Sequence, residues 1–198
     1  MGMKPPTRRE ILMTPVLLSV AASFQATPAK SQSAGRTLVV YMSRSGNTRV
    51  IAGQISRTLG ADLFEIVTAM PYPADYLETV EQAKQERDRG VLPRLDGSVS
   101  NLDSYETVYL GFPIWGTTAP SPLKTFLSTH DLSGKTIVPF VTHGGYGLGD
   151  SLQVVARLSP RAQLNQAFVL QAPQERQTVE KVLEWLGQEG LPLQQEPI

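Results

Sequence analysis

Cysteine is absent from the 198-residue chain, and histidine occurs only twice, at His130 and His143. The lack of cysteine excludes disulfides, thiolate metal sites, a cysteine nucleophile and a lipid-modified cysteine anchor. Two histidines are too few for a multi-histidine metal site, so we predict no metal centre. We also find no residue with the features of a catalytic base.

An excess of charge of either sign is also missing. Lysine plus arginine and aspartate plus glutamate both number 18, so the formal net charge is zero. The sequence therefore gives no indication of a nucleic-acid partner. The composition, 41% hydrophobic and 18% charged, is that of one globular domain with a substantial core.

The apolar run near the N-terminus, residues 11–24, is too short to span a bilayer, which needs about 20 residues. It follows a basic start and precedes small and polar residues up to Ala34, which predicts a signal peptide at residues 1–34. Residues 7–12, Thr-Arg-Arg-Glu-Ile-Leu, resemble the twin-arginine export signal. We therefore expect export, in a bacterium to the periplasm, with membrane contact only during transit. An ordinary basic signal peptide, an uncleaved anchor and a cytoplasmic location are the alternatives.

Residues 35–190 form the predicted domain, and residues 191–198 a mobile polar tail. Five short runs rich in β-branched and aromatic residues alternate with five segments of helical periodicity. The strands are predicted at residues 37–42, 61–67, 106–112, 136–142 and 167–170. Such alternation predicts an α/β fold with a parallel sheet covered by helices on both faces.

Three local details of this fold can also be predicted. Ser121 is expected to cap the third helix, with Pro122 in its first turn. Pro139 removes a hydrogen-bond donor from the fourth strand, which suggests a β-bulge. His130 lies near a helix C-terminus and is expected to be a surface residue that offsets the helix dipole.

The hexapeptide Ser-Arg-Ser-Gly-Asn-Thr at residues 43–48, hereafter the first loop, joins the first strand to the first helix. A helix N-terminus offers unpaired N–H groups and partial positive charge, so it can hold a phosphate without a lysine. The absence of a lysine excludes the ATP-type phosphate loop. A plain strand-to-helix turn with a helix cap remains the alternative.

Two more unusual loops follow the third and fourth strands. The second loop, residues 113–117, reads Pro-Ile-Trp-Gly-Thr, and the third loop, residues 142–150, contains four glycines. In the strand order 2-1-3-4-5, the first, third and fourth strands are neighbours. All three loops would then share the rim at the carboxyl ends of the strands, where ligands of such sheets bind.

These loops resemble the three FMN-binding loops of the flavodoxin family, and the resemblance extends from residue 37 to about residue 188. Tyr72-Pro73, Tyr76 and residues 135–140 are further similar to a flavodoxin-like subfamily with Pro-x-Trp in the second loop. The resemblance implies a flavodoxin-like three-layer sandwich around a five-stranded parallel sheet in the order 2-1-3-4-5.

FMN, bound non-covalently, is the cofactor that the resemblance implies. Its phosphate would bind the first loop, where Arg44 is the variable position and points to solvent. Its ring would lie between the second and third loops, stacked on Trp115. Leu148 replaces an aromatic residue found in some flavodoxins, which leaves Tyr146 or an aliphatic contact for the second face.

The implied site residues are Ser43, Arg44, Ser45, Gly46, Asn47, Thr48, Pro113, Ile114, Trp115, Gly116, Thr117, Thr142, His143, Gly144, Gly145, Tyr146, Gly149 and Asp150. His143 has a second interpretation, as a residue that hydrogen-bonds the loop itself.

Three functions are compatible with this resemblance. The first is an electron carrier that serves a redox partner, either a protein or a small acceptor such as a quinone. The second is an FMN-dependent NAD(P)H quinone or nitro reductase, for which we see no dedicated basic cluster in the sequence. The third is a flavin-free relative that binds a partner or another phosphate.

Overall fold

The structure, a computed structural model, describes Gly2, residues 36–171 and residues 175–188, with no side chains given for residues 175–180. The described residues from 36 to 188 form one compact unit. Apart from Gly2, the predicted signal peptide lies outside the described residues, as do both predicted domain boundaries and the tail. No helix in the described part of the chain is long and apolar enough to cross a membrane.

Helices and strands alternate as predicted. The strands are β1 (Arg36–Tyr41), β2 (Asp62–Glu65), β3 (Tyr105–Pro113), β4 (Thr136–His143), β5 (Gln163–Leu164) and β6 (Phe168–Gln171). The helices are α1 (Asn47–Leu59), α2 (Tyr76–Arg89), α3 (Ser121–Thr129), α4 (Ser151–Leu158) and α5 (Glu175–Gln188), with a short 3-10 helix at Leu102–Ser104. All strand pairs are parallel and the order is β2-β1-β3-β4-β5, which confirms the α/β fold and its order 2-1-3-4-5.

The sheet separates two hydrophobic clusters, because successive residues of a strand point to opposite faces. Along β1, Leu38 and Val40 belong to one cluster, and Val39 and Tyr41 belong to the other. The first cluster is covered by α3 and α4, and the second by α1 and α5. The three-layer architecture therefore follows from continuous apolar strands that are buried on both sides.

The fifth position of the sheet differs from the single strand predicted at residues 167–170. There β5 pairs with the start of β4, and β6 pairs with its second half from Phe140 onward. The bulge predicted at Pro139 is absent on the β3 side, where the register runs through the Leu110–Pro139 pair without a shift. On the other side the partner of β4 advances from Leu164 opposite Ile137 to Phe168 opposite Phe140, one residue more than β4 itself, so the irregularity lies there. Here Asn165 donates its N–H to the Ile137 carbonyl at 2.9 Å. A parallel ladder would next use the N–H of residue 139, which proline lacks, so pairing with β5 ends there.

The structure also corrects two other local predictions, one of them only in part. Pro120 takes the N-cap position of α3, and Ser121 is instead its first helical residue, with a buried side chain. His130 is half-buried and stacks on Phe126, with ring centroids 4.1 Å apart. Its Nε2 accepts the N–H of Val99 at 3.2 Å, and its Nδ1 lies 3.0 Å from the Phe126 carbonyl oxygen in the last turn of α3. The histidine therefore fixes a loop and also bonds the C-terminus of the helix, so only its predicted surface position is wrong.

Candidate functional site

The first loop leaves N–H groups without acceptors at the start of α1. Gly46 is the N-cap with φ +92°, in the left-handed region that favours glycine, and its N–H donates to Ser43 Oγ at 3.2 Å. The first helical hydrogen bond runs from Val50 N–H to the Gly46 carbonyl at 3.0 Å. Within the described residues, the N–H groups of residues 47–49 therefore have no acceptor, as the N-terminus of a helix provides for an anion.

The side chains of the first loop are bonded to one another or to neighbouring segments. Asn47 Nδ2 donates to Ser45 Oγ at 3.1 Å. Thr48 is only 1% exposed, and its Oγ1 lies 2.9 Å from Thr142 Oγ1 in the third loop. One hydroxyl of this pair donates, and the other keeps its hydrogen for a further acceptor. Replacing Thr48 would therefore remove a hydrogen bond between the first and third loops, in addition to any effect on ligand binding.

Arg44 was expected to point to solvent, and it is exposed but not free. Its Nη2 donates to the Ala74 carbonyl at 3.0 Å, and its guanidinium lies 5.5 Å from the centroid of the Tyr76 ring. Arg44 therefore ties the first loop to the start of α2.

The second loop ends in a tight hairpin turn. Trp115 N–H donates to the Thr118 carbonyl at 3.1 Å, and Thr118 N–H donates back to the Trp115 carbonyl at 3.3 Å. The two central residues, Gly116 and Thr117, have φ of +56° and +64°, as a type I′ turn requires. Positive φ is unfavourable for a β-branched residue, so Thr117 holds backbone strain at the predicted cofactor site.

The third loop is organised by His143. Its Nδ1 accepts the N–H groups of Gly145 at 3.1 Å and Gly147 at 3.4 Å, so this nitrogen structures the loop. Leu148 is half-buried and packs against the core, whereas Tyr146 is 89% exposed. Of the two groups considered for the second ring face, Tyr146 is therefore the one that is open to a ligand.

The second and third loops touch directly. Asp150 N–H donates to the Thr117 carbonyl at 3.2 Å. Gly149 has φ +54°, and a Cβ added to it would lie 1.8 Å from the same carbonyl oxygen. Glycine is therefore required at position 149 both by the backbone conformation and by the close approach of the second loop.

A model of the flavodoxin family matches residues 36–188. The chain belongs to the flavodoxin family. Among solved structures, a candidate flavoprotein from Bacteroides eggerthii is 28% identical, with a TM-score of 0.68 over 79% of this chain and 99% of that one. A candidate flavoprotein from Bacteroides uniformis is also 28% identical, with a TM-score of 0.69 over 77% of this chain and 98% of that one.

A third solved structure has the same fold at lower identity. It is a Lactobacillus acidophilus flavoprotein in complex with FMN, 21% identical, with a TM-score of 0.59 over 69% of this chain and 93% of that one. A comparison with curated proteins found no match.

Trp115 is held by residues that the sequence did not connect to it. Tyr72 packs edge-on against its ring, with centroids 5.0 Å apart. The Tyr72 hydroxyl donates to Glu86 Oε2 at 2.5 Å, and Gln82 Nε2 donates to the other carboxylate oxygen at 2.9 Å. Burial, reinforced by Glu86, raises the pKa of Tyr72, so the hydroxyl keeps its proton. Glu86 is only 7% exposed, and no local sequence signal marked it.

A cavity of about 490 Å³ opens beside the first loop of the flavodoxin domain. Its lining includes Ser43, Arg44, Tyr72 and Trp115, but no residue of the third loop. The first and second loops thus share a cavity, whereas the second and third loops are in direct contact.

Three basic residues from three helices lie within electrostatic range of one another, and one of them, Arg87, packs on Gly116 of the second loop. Lys124 of α3 is partly buried, and burial lowers the pKa of its ammonium group, with Arg157 and Arg87 lowering it further. Asp150 acts in the opposite direction. This basic cluster of Arg87, Lys124 and Arg157 comes from distant parts of the chain, so the sequence alone did not reveal it.

Proposed function

We propose that the chain binds FMN non-covalently at the loop rim and transfers electrons to or from a redox partner. The observation that carries the proposal is the set of N–H groups without acceptors at the start of α1, in a loop without lysine. Membership of the flavodoxin family and the FMN complex of the Lactobacillus acidophilus relative support the choice of cofactor.

The first loop fits a phosphate with three acceptor oxygens. The N–H groups of residues 47–49 would donate to it, together with the hydroxyls of Ser43 and Ser45. An added Cβ at Gly46 would meet no atom within 4 Å, so the side of the loop at this residue is open to a ligand. Hydrogen bonds to an ionised phosphate are about twice as strong as those between neutral groups.

Bound FMN would supply the electron-transfer chemistry. The chain would orient its ring and exclude water, with Trp115 on one face and Tyr146 on the other. Tyr72 and Glu86 would keep the Trp115 ring in one orientation, which stabilises a stacked arrangement by reducing the entropy lost on binding.

The basic cluster of Arg87, Lys124 and Arg157 favours a second candidate function, that of an FMN-dependent NAD(P)H reductase. Arg87, Lys124 and Arg157 could attract a phosphate of NAD(P)H. Steady oxidation of NADPH by the FMN-loaded protein with a quinone present would replace the carrier with an FMN-dependent quinone or nitro reductase.

The fluorescence of Trp115 should fall when FMN binds, because the ring would stack on this side chain. The test uses Trp185→Phe, which leaves Trp115 as the sole tryptophan; Trp185 stacks on Phe168 in the other cluster. We expect stoichiometric quenching in this variant. Unchanged emission from a protein that carries FMN would contradict the assignment of Trp115.

We further propose that residues 1–34 export the folded, FMN-loaded protein. A cofactor held by loops from three strands can bind only after the sheet has formed, and twin-arginine export carries folded proteins. Replacing Arg8 and Arg9 with lysine keeps the charge and should leave a yellow, unprocessed precursor in the cytoplasm. Undiminished export of the double variant would show that the arginine pair only supplies basic charge.

A further inference from the structure

A second cavity, of about 260 Å³, lies between α2 and the second loop. Its walls are largely apolar: Val80 and Ile114 supply aliphatic groups, and Tyr76 and Trp115 supply aromatic rings. Flat aromatic side chains of this kind favour a planar apolar body through stacked or edge-on contacts.

Three cationic side chains, those of Arg44, Lys84 and Arg87, also line this cavity, and no acidic residue does. Lys84 Nζ and Arg87 Nε lie 2.9 Å and 3.3 Å from the Asp88 carboxylate, and Glu81 also acts electrostatically on Lys84, so these two cations are partly offset. Arg44 donates to a neutral carbonyl and lies over the Tyr76 ring. The side chains around the cavity therefore carry a net positive charge.

Arg87 is the cation that closes the cavity on the side of the second loop. A Cβ added to Gly116 would lie 2.1 Å from Arg87 Nη1, so the guanidinium packs directly on the glycine. This contact brings a planar donor next to the turn that follows Trp115. A guanidinium can donate two parallel hydrogen bonds to a carboxylate or similar anion.

We propose that this cavity binds a small planar aromatic molecule that carries one anionic group. The aromatic body would lie against Trp115 and Tyr76, and the anion would accept hydrogen bonds from Arg87, with Arg44 and Lys84 adding positive charge.

The site is formed by α2, Arg44 and the second loop. It shares Arg44 and three residues of the second loop, Ile114, Trp115 and Gly116, with the proposed FMN site, so binding is measured first in the flavin-free protein and then with FMN bound.

Calorimetric titration of the flavin-free protein with 2-naphthoate and with its neutral analogue 2-naphthamide tests this site. One charge-assisted hydrogen bond should make the carboxylate bind at least about tenfold more tightly than the amide. Arg87→Gln should abolish that preference. Arg57→Gln is the matched control, because Arg57 is exposed on α1 and donates to Gln54 Oε1, and it should leave the preference unchanged.

Equal affinity of the wild type for the two probes would overturn the proposal, as would an undiminished preference in folded Arg87→Gln. Should Arg87→Gln fail to fold, Lys84→Gln provides the test and must reduce the preference. A final titration uses protein saturated with FMN. Unchanged 2-naphthoate affinity supports a separate site. Displacement of 2-naphthoate by FMN would instead assign the cavity to the flavin ring and overturn the proposal. A protein that binds 2-naphthoate but not FMN would refute only the proposed function.

Discussion

Riboflavin should bind at least about a hundredfold more weakly than FMN, because it lacks the phosphate that the first loop is built to accept. Hydrogen bonds to a charged group contribute about 1.5–3 kcal/mol each, and losing two of them gives this factor. Calorimetric titration of the flavin-free protein with both flavins measures the difference.

Inorganic phosphate provides the control for this comparison. It should compete with FMN, since both would occupy the N–H groups at the start of α1, and it should leave riboflavin binding unaffected. Equal affinity for FMN and riboflavin, with no competition by phosphate, would show that the first loop is only a strand-to-helix turn.

Gly149→Ala should lower the free energy of unfolding by about 2 kcal/mol or more and should weaken FMN binding. The left-handed conformation costs an alanine about 1–2 kcal/mol, and the added Cβ would also collide with the Thr117 carbonyl. The second and third loops would have to separate to relieve that contact. Urea unfolding gives the stability, and titration with FMN gives the affinity.

Two glycines of the same loop serve as matched controls. Gly144→Ala should leave the free energy of unfolding unchanged, because a Cβ there meets nothing within 4 Å and the backbone has no positive φ. Gly147→Ala has open space but φ +71°, so it isolates the conformational cost from the collision. If Gly149→Ala behaves like Gly147→Ala, the contact with Thr117 contributes nothing.

Local signals accounted for most of the fold. β1 and α1 were predictable because an apolar strand, a glycine-containing turn and a helical stripe follow one another within 24 residues, Arg36–Leu59. The double fifth strand was not, because the missing N–H of Pro139 matters only once its neighbours in the sheet are known. The burial of His130 was not predictable for the same reason, since its partner Val99 lies 31 residues away.

In the candidate site, too, local motifs could be predicted from the sequence and contacts between distant segments could not. The three loops were recognisable because each is a contiguous motif after a strand. The contacts between Gly149 and Thr117, and between Gly116 and Arg87, join segments whose proximity only the folded chain reveals. Glu86 illustrates the limit most clearly, because a glutamate in a polar helix carries no mark of its buried bond to Tyr72.

The absorption spectrum of the purified protein, with its cofactor released by acid and identified by chromatography, tests the central proposal most directly. The N–H groups of the first loop and the ring contacts at Trp115 predict a yellow protein that releases one FMN per chain. A colourless protein that stays colourless after incubation with FMN and gel filtration would contradict FMN binding at the loop rim.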